Sequence, residues 1–358
     1  MQLMKLSQGN EAAGFKQFSK LTIHNGMAYW TGHVALKPGD LYEQTKSVFT
    51  RYDVFLPAYG QKKKNILHAM AFIRDIKQYE TFIQAWNEWF SDGTTPPALT
   101  CVEADLVPGH NVEISLIVGY EKDNAPVKIQ YGLKEGASYS EYVIHNNFIR
   151  FSAKSALTAG SLEEETKDII RQYENALHKL SCDHNNLLMA NIYMRDISKL
   201  DTVMALWSQW TGEKAPALMA QQSPVPAGRA LAISMIAAAE PKAEIQRFET
   251  QHGVSACVKY NHVAFVSAQT ADGSGTANQE GKEVFEKIDA LLERVGLDKH
   301  KVYFNQMVGN NFPDFNAFDV GAFKEWSVPE KIYPAAIGFS CLPPKGKAVE
   351  VAVMVAYE

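Results

Sequence analysis

The chain has few of the features that mark many functional classes. Four cysteines stand among 358 residues, at Cys101, Cys182, Cys257 and Cys341, with no C-x-x-C pair. A disulfide framework is therefore not expected, and reduced thiols point to the cytoplasm. The longest apolar stretch, around Ala230 to Ala239, is far short of the ~20 residues that a membrane-spanning helix needs. The opening MQLMKLSQGN lacks the apolar segment of a secretory leader. Positive charge is also scarce: 35 Lys and Arg against 40 Asp and Glu leave a net charge of -5. The one dense basic run, Lys62-Lys63-Lys64, reads as a solvated loop, so neither nucleic acid nor a membrane is an expected partner. No H-E-x-x-H, P-loop, G-x-S-x-G or spaced Cys/His set occurs, so no metal and no cofactor is expected.

What the sequence does have is an ordinary globular balance, 46% hydrophobic and 21% charged, over a length that suggests two or three domains. It also repeats itself. Pro97-Ala98-Leu99 recurs as Pro216-Ala217-Leu218 and, altered, as Pro334-Ala335-Ala336, at steps of 119 (216 − 97) and 118 (334 − 216) residues. An aromatic pair spaced for one helical face precedes each tripeptide: Trp86 and Trp89, Trp207 and Trp210, Phe323 and Trp326. Twelve residues before the first ring of the first two pairs stand Arg74-Asp75 and Arg195-Asp196; the third copy has Asn310-Asn311 there, with a slip of one residue.

Each copy ends in apolar alternation of period two: Val112, Ile114, Leu116, Val118; Leu231, Ile233, Met235; Val349, Val351, Val353, Val355. Each holds a long amphipathic helix, marked by Tyr42, Val48, Phe49, Tyr52, Phe55 and Leu56 in the first copy. Ile169, Ile170, Tyr173, Leu177 and Leu180 mark it in the second, and Val284, Ile288, Leu291, Leu292 and Val295 in the third. Short strand pairs precede these helices, separated by the turn-prone His24-Asn25-Gly26, His145-Asn146-Asn147 and Tyr260-Asn261-His262. The pattern predicts a mixed α/β (α+β) protein of three β-β-α-β-α-β units over residues 1–122, 123–241 and 242–358. Helices would cover one sheet face. The other face needs a partner, and the sister copies can supply it, so one chain is expected to form a compact pseudo-trimer. Whether such chains associate further stays open.

The segment Pro97-Ala98-Leu99-Thr100-Cys101-Val102-Glu103-Ala104-Asp105-Leu106-Val107-Pro108-Gly109, running into Val112-Glu113-Ile114, resembles the RidA/YjgF family of reactive-intermediate deaminases, also known as L-PSP endoribonucleases. Gly136-Ala137-Ser138-Tyr139-Ser140-Glu141 and Phe265-Val266-Ser267-Ala268-Gln269 are similar to two further segments of that family. The resemblance covers the whole chain, once per copy. It implies the chorismate-mutase-like fold and ligand clefts between units. It also implies that the arginine which holds the substrate carboxylate is replaced by Leu99, Leu218 and Ala336. The family's water-handling glutamate is assigned to Ser115, Ser234 and Ala352, and its asparagine to the neighbourhood of Ile83, Met204 and Val320. Of its other cleft residues, the glycine survives as Gly32, the tyrosine as Tyr139 and the cysteine as Cys101.

His33, Lys154 and Gln269 follow the equivalent strand end in the three copies. The candidate catalytic residues are His33, as an acid or base near neutral pH, Cys101, as a nucleophile, and Lys154, as an anion anchor. Ser115 with His33 and Ser234 with Lys154 are candidate pairs. The candidate ligand-binding set is Tyr139, Gln269, Ser115, Ser234, Leu99 and Leu218. Two functions follow: hydrolysis or deamination of a small imine, enamine or amide-like metabolite in a cleft between units, or non-catalytic binding and scaffolding. The net charge disfavours RNA as a ligand.

Overall fold

The computed structural model describes residues 3–6, 17–120 and 127–358, so the expected first junction, residues 121–126, lies outside the described residues. Each amphipathic stripe becomes an 18-residue helix: Leu41–Ala58, Leu162–Lys179 and Ala277–Arg294. All three start at a reciprocal cap, Asp40 with Glu43, Ser161 with Glu164 and Thr276 with Gln279, in which each side chain binds the other's backbone N–H. The aromatic pairs sit on second helices, Tyr79–Trp89 and Leu200–Thr211. The third copy interrupts this helix: Phe312–Phe318 passes through a wide π turn at Asp319–Phe323 into Lys324–Ser327. A π turn accommodates one additional residue, which accounts for the slip seen at Asn310-Asn311. The Arg-Asp pairs act locally. Asp75 and Asp196 accept from the backbone of Lys77 and Ser198, and Arg74 reaches the carbonyls of Leu106, Val107 and His110.

Three sheets result. In the first, the strand order is Met4–Leu6, Leu21–His24, Met27–Trp30, Val112–Gly119, Ile66–Ile73 and Ala98–Glu103. All pairs along it are antiparallel except the last, where Ile66–Ile73 and Ala98–Glu103 run parallel. The second and third sheets repeat this order around Leu231–Ala238 and Val349–Ala356. Each unit thus also has a strand formed by its Pro-Ala-x segment: Ala98–Glu103, Ala217–Gln222 and Ala335–Ser340.

One face of each sheet packs on its own helices, giving three separate cores centred on Trp86, Trp207 and Phe323. The opposite faces share a fourth core, in which Tyr29, Phe72, Phe148, Tyr193, Tyr260 and Phe304 from all three units meet. The period-two strands therefore bury both faces, which fixes their register strongly.

Hydroxyls stitch the units together in three equivalent places. The Leu99 N–H donates to Ser152 Oγ at 2.8 Å, Leu218 N–H to Ser267 Oγ at 2.8 Å and Ala336 N–H to Thr31 Oγ1 at 3.0 Å. Each hydroxyl in turn donates to a backbone carbonyl of its own unit: Ser140, Ser255 and Ser19 respectively. The third contact joins the last unit to the first, so the ring closes within one chain. At its centre the hairpin turns form a cycle: Asn25 donates to the Asn261 carbonyl, Asn261 to that of Asn146 and Asn146 to that of Asn25.

Candidate functional site

Each Pro-Ala-x strand faces the strand end of the next unit, so every junction is a place where a cleft can form. At the junction of the first and second units a cleft of about 650 Å³ is present. One wall comes from the first unit: Tyr79 and Ile83 from its second helix, Leu99 and Cys101 from its Pro-Ala-x strand. The other wall comes from the second unit and carries Tyr139, Glu141, Lys154 and Arg229. Leu157 at the rim is largely exposed, so the cleft opens to solvent.

Charge is concentrated on the second-unit wall. The Lys154 Nζ donates to Glu141 Oε1 at 2.5 Å, and Lys134 Nζ meets the other carboxylate oxygen at 2.8 Å. Burial pushes the Glu141 carboxyl up, but its hydrogen bonds from Lys134 and Lys154 prevail and hold it at about 2. Burial lowers Lys154, against the raising effect of Glu141. The Arg229 guanidinium is tied to the carbonyls of Ala156 and Leu157. Burial raises the Tyr79 hydroxyl above its ordinary value, and the Tyr139 ring lines the cleft beside it. The Cys101 thiol is buried and pushed far up by desolvation, so it stays protonated. That is the environment of a small core side chain rather than of a nucleophile.

The structure brings Cys101, Lys154, Tyr139 and Leu99 together in this cleft. The remaining sequence candidates lie elsewhere. His33 packs its ring against Trp30, Tyr52 and Phe55, with Nδ1 2.6 Å from the Thr31 carbonyl. Burial, then the Arg51 charge, depress it to about 3, so it is neutral at physiological pH and is no acid–base group there. Ser115 is fully buried and donates to the Trp30 carbonyl, so it does not pair with His33. Ser234 and Ala352 line a small central cavity instead of a cleft, which separates Ser234 from Lys154. Gln269 turns back on the Ser267 and Ala268 carbonyls. Leu218 is buried at the second junction, on the helix-side core of its own unit.

Sequence reasoning missed the acidic groups two residues earlier on the same strands. The Glu113 side chain, of the V-E-I segment, lies against the backbone of Gly338 in the third unit. The Glu350 side chain lies in the same way against the backbone of Ala220 in the second unit. Burial pushes both carboxyls up to about 8. A side chain at Gly32 would collide with Glu113 Oε1, at 1.9 Å from its Cβ, so glycine is required beside that carboxyl. In the open cleft the corresponding position is Ala232. The signal was present in the strand alternation, since residues 113 and 115 share one face.

The other junctions are packed differently. Between the third and first units Gln17 Nε2 donates to Asp319 Oδ2 at 2.9 Å, both side chains being buried. Burial holds the Asp319 carboxyl at about 6 against this bond. Phe18 packs on the third unit's core, much as Val254 packs on the second's and Tyr139 on the first's. The tryptophans of the aromatic pairs also bridge units: Trp86 Nε1 donates to the Ser138 carbonyl and Trp207 Nε1 to that of Gly253, each at 2.8 Å.

The repetition of the unit along the chain agrees with what comparison with known proteins finds. The family model described as Endoribonuclease L-PSP matches residues 9–119 and again residues 132–239, and the chain belongs to this family. A RutC family protein of Haemophilus influenzae is 41% identical over 104 residues, which is 28% of this chain and 89% of that protein. The RutC family protein YoaB of Escherichia coli is 30% identical over 101 residues, again 28% and 89%. The diphthine–ammonia ligase of Schizosaccharomyces pombe is 24% identical over 196 residues, covering 51% of this chain and 32% of that enzyme. Among solved structures, NMB1025 of Neisseria meningitidis, a member of the YjgF protein family, matches at 28% identity over 34% of this chain and 98% of its own, with a TM-score of 0.30. No helix among the described residues is long and apolar enough to cross a membrane.

Proposed function

We propose that this chain hydrolyses the C–N bond of a small anionic imine or enamine in the cleft between its first and second units. The observation that carries this reading is the Lys154–Glu141 pair on the wall of a solvent-connected cleft of about 650 Å³. In this reading Leu99 stands where related proteins hold the substrate carboxylate with arginine, and the Lys154 ammonium takes over as the cation. Glu141 is too acidic to act as a base at neutral pH. Its work is to keep Lys154 charged and aimed into the cleft.

An enamine first gains a proton on carbon and releases one from nitrogen, becoming the imine. Water then adds to the C=N carbon, the nitrogen gains a proton, and the tetrahedral adduct collapses to a carbonyl and ammonia. The Tyr79 and Tyr139 hydroxyls, which line the cleft, offer positions for that water. Ala232 supplies no carboxylate at the register of Glu113 and Glu350, so proton abstraction from the water is weakly assisted and the expected rate enhancement is modest. The net charge of -5 supports a metabolite rather than RNA as the ligand.

The test is the consumption of 2-aminoacrylate, generated in situ, by the purified chain. Acceleration over buffer that falls by about tenfold or more in Lys154→Met supports the reading, because one lost charge-assisted contact is worth roughly 1.5–3 kcal/mol. No acceleration over buffer sinks the hydrolytic version and leaves binding without turnover.

A further inference from the structure

Arg150 lies on the strand Phe148–Phe151 and points into the shared core, where it is only 2% exposed. Its Nη2 donates to the Tyr29 hydroxyl at 3.1 Å and to Met27 Sδ at 3.5 Å, both neutral groups. Its Nε has no hydrogen-bond partner among the described residues. Arginines Arg74, Arg171 and Arg294 form ion pairs; among the described residues Arg150 forms none. A guanidinium does not shed its proton at physiological pH, so burial cannot neutralise it as it can a lysine. An uncompensated buried charge is among the costliest features a core can hold.

Arg150 lines a cavity of about 50 Å³ with His68, Asn191, Ser234 and Gln306. That volume exceeds the ~10–15 Å³ needed for one water-sized occupant. The cavity lies on the ring axis, since equivalent residues of all three units reach it: Ile117, Ile236 and Met354 on the long strands, Met70, Asn191 and Gln306 on their neighbours. His68 adds no charge, because burial and then Arg150 hold it at about 3. Arg150 has as counterparts Tyr29 and Phe265, so the ring holds one such cation, not three.

We propose that the central cavity binds one small monovalent anion of the halide class, held by the Arg150 guanidinium and by the amides of Asn191 and Gln306 and the Ser234 hydroxyl. The anion is a counter-ion inside the ring, separate from the cleft at Lys154. A carboxylate side chain would serve the same electrostatic purpose, but apart from Arg150 the described residues that line the cavity are neutral polar and apolar groups.

Thermal unfolding of the full chain in sodium bromide and in sodium gluconate at equal ionic strength tests this, gluconate being too large for the cavity. The expected result is a saturable rise in Tm with bromide and none with gluconate, against the general tendency of bromide not to strengthen folding. Arg150→Met is expected to remove the bromide dependence. Because that variant can fail to fold, bromide-grown crystals of the wild-type chain provide a second reading, with an anomalous peak expected beside Arg150. Equal Tm curves in the two salts overturn the proposal. So does a bromide effect with anomalous peaks confined to the surface.

Discussion

The side-chain amide of Asn25 donates to the backbone carbonyl of Asn261 at 2.6 Å, and the same bond runs from Asn146 to Asn25 and from Asn261 to Asn146. Three turns from three copies thus satisfy one another in a cycle. Each of these asparagines also has a positive φ, between 45° and 49°, which asparagine tolerates better than alanine.

Asn146 therefore carries two separable contributions. Asn146→Ala loses the bond and strains the turn, for a combined cost of about 2–3 kcal/mol. Asn146→Gly loses the bond but relieves the strain and is expected to cost about 1 kcal/mol less than alanine. Urea denaturation of the two variants measures the difference; equal losses would mean that the turn stores no strain.

Ser152 bridges two units by accepting from Leu99 and donating to Ser140. Removal of its hydroxyl in Ser152→Ala leaves a buried N–H and a buried carbonyl without that partner. The expected loss is about 1–3 kcal/mol in chemical denaturation.

Glu113 and Glu350 have folded pKa values near 8, raised by burial. The ordinary glutamate value is about 4.3. Between these limits the unfolded chain is ionised while the folded chain keeps its protons, so stability falls as pH rises from about 4.3 to 8 and then levels. The double substitution Glu113→Gln and Glu350→Gln is expected to flatten that decline, which Tm measured across the range will show.

Glu141 has the opposite sign. Its folded pKa of about 2 lies below the ordinary value, so its contribution is full above about 4.3 and is lost as pH falls toward 2. Lys154→Met removes one of the two cations responsible and is expected to shift the acid-unfolding midpoint to higher pH.

A ring closed within one chain predicts the mass of a single chain in solution, unchanged on dilution. Light scattering during size-exclusion chromatography checks this. An assembly three chains in mass would contradict the intramolecular closure seen at Ala336 and Thr31.

Much of the fold was legible because repetition multiplies weak signals. Alternation in Val112 to Val118 alone is ambiguous; its return near residues 231 and 349, with a Pro-Ala pair at a fixed distance before it, is not. The candidate cleft was legible only in part. Leu99, Cys101, Tyr139 and Lys154 were drawn to one place because each lies in a segment that returns with the repeat. Ser115 was misplaced because alternation tells which face a side chain takes but not where along the strand the next unit begins to cover it. Glu113 meets the neighbouring unit, and Ser115, two residues on, is already closed in by its own unit at the Trp30 carbonyl. His33 was misread as an acid or base because an ordinary imidazole titrates near neutral pH, whereas the aromatic rings that bury it come from distant positions, Tyr52 and Phe55.

The closure of three copies by Leu99 with Ser152, Leu218 with Ser267 and Ala336 with Thr31 has an inheritance consequence. In an assembly of identical subunits every coding change is imposed on all sites at once, and any harmful one is suffered three times. Here a single codon touches a single junction. One junction can drift toward new chemistry while its two siblings carry the mechanical burden of keeping the molecule shut, and the units already differ in this way at Arg150, against Tyr29 and Phe265, and at Ala232, against Glu113 and Glu350.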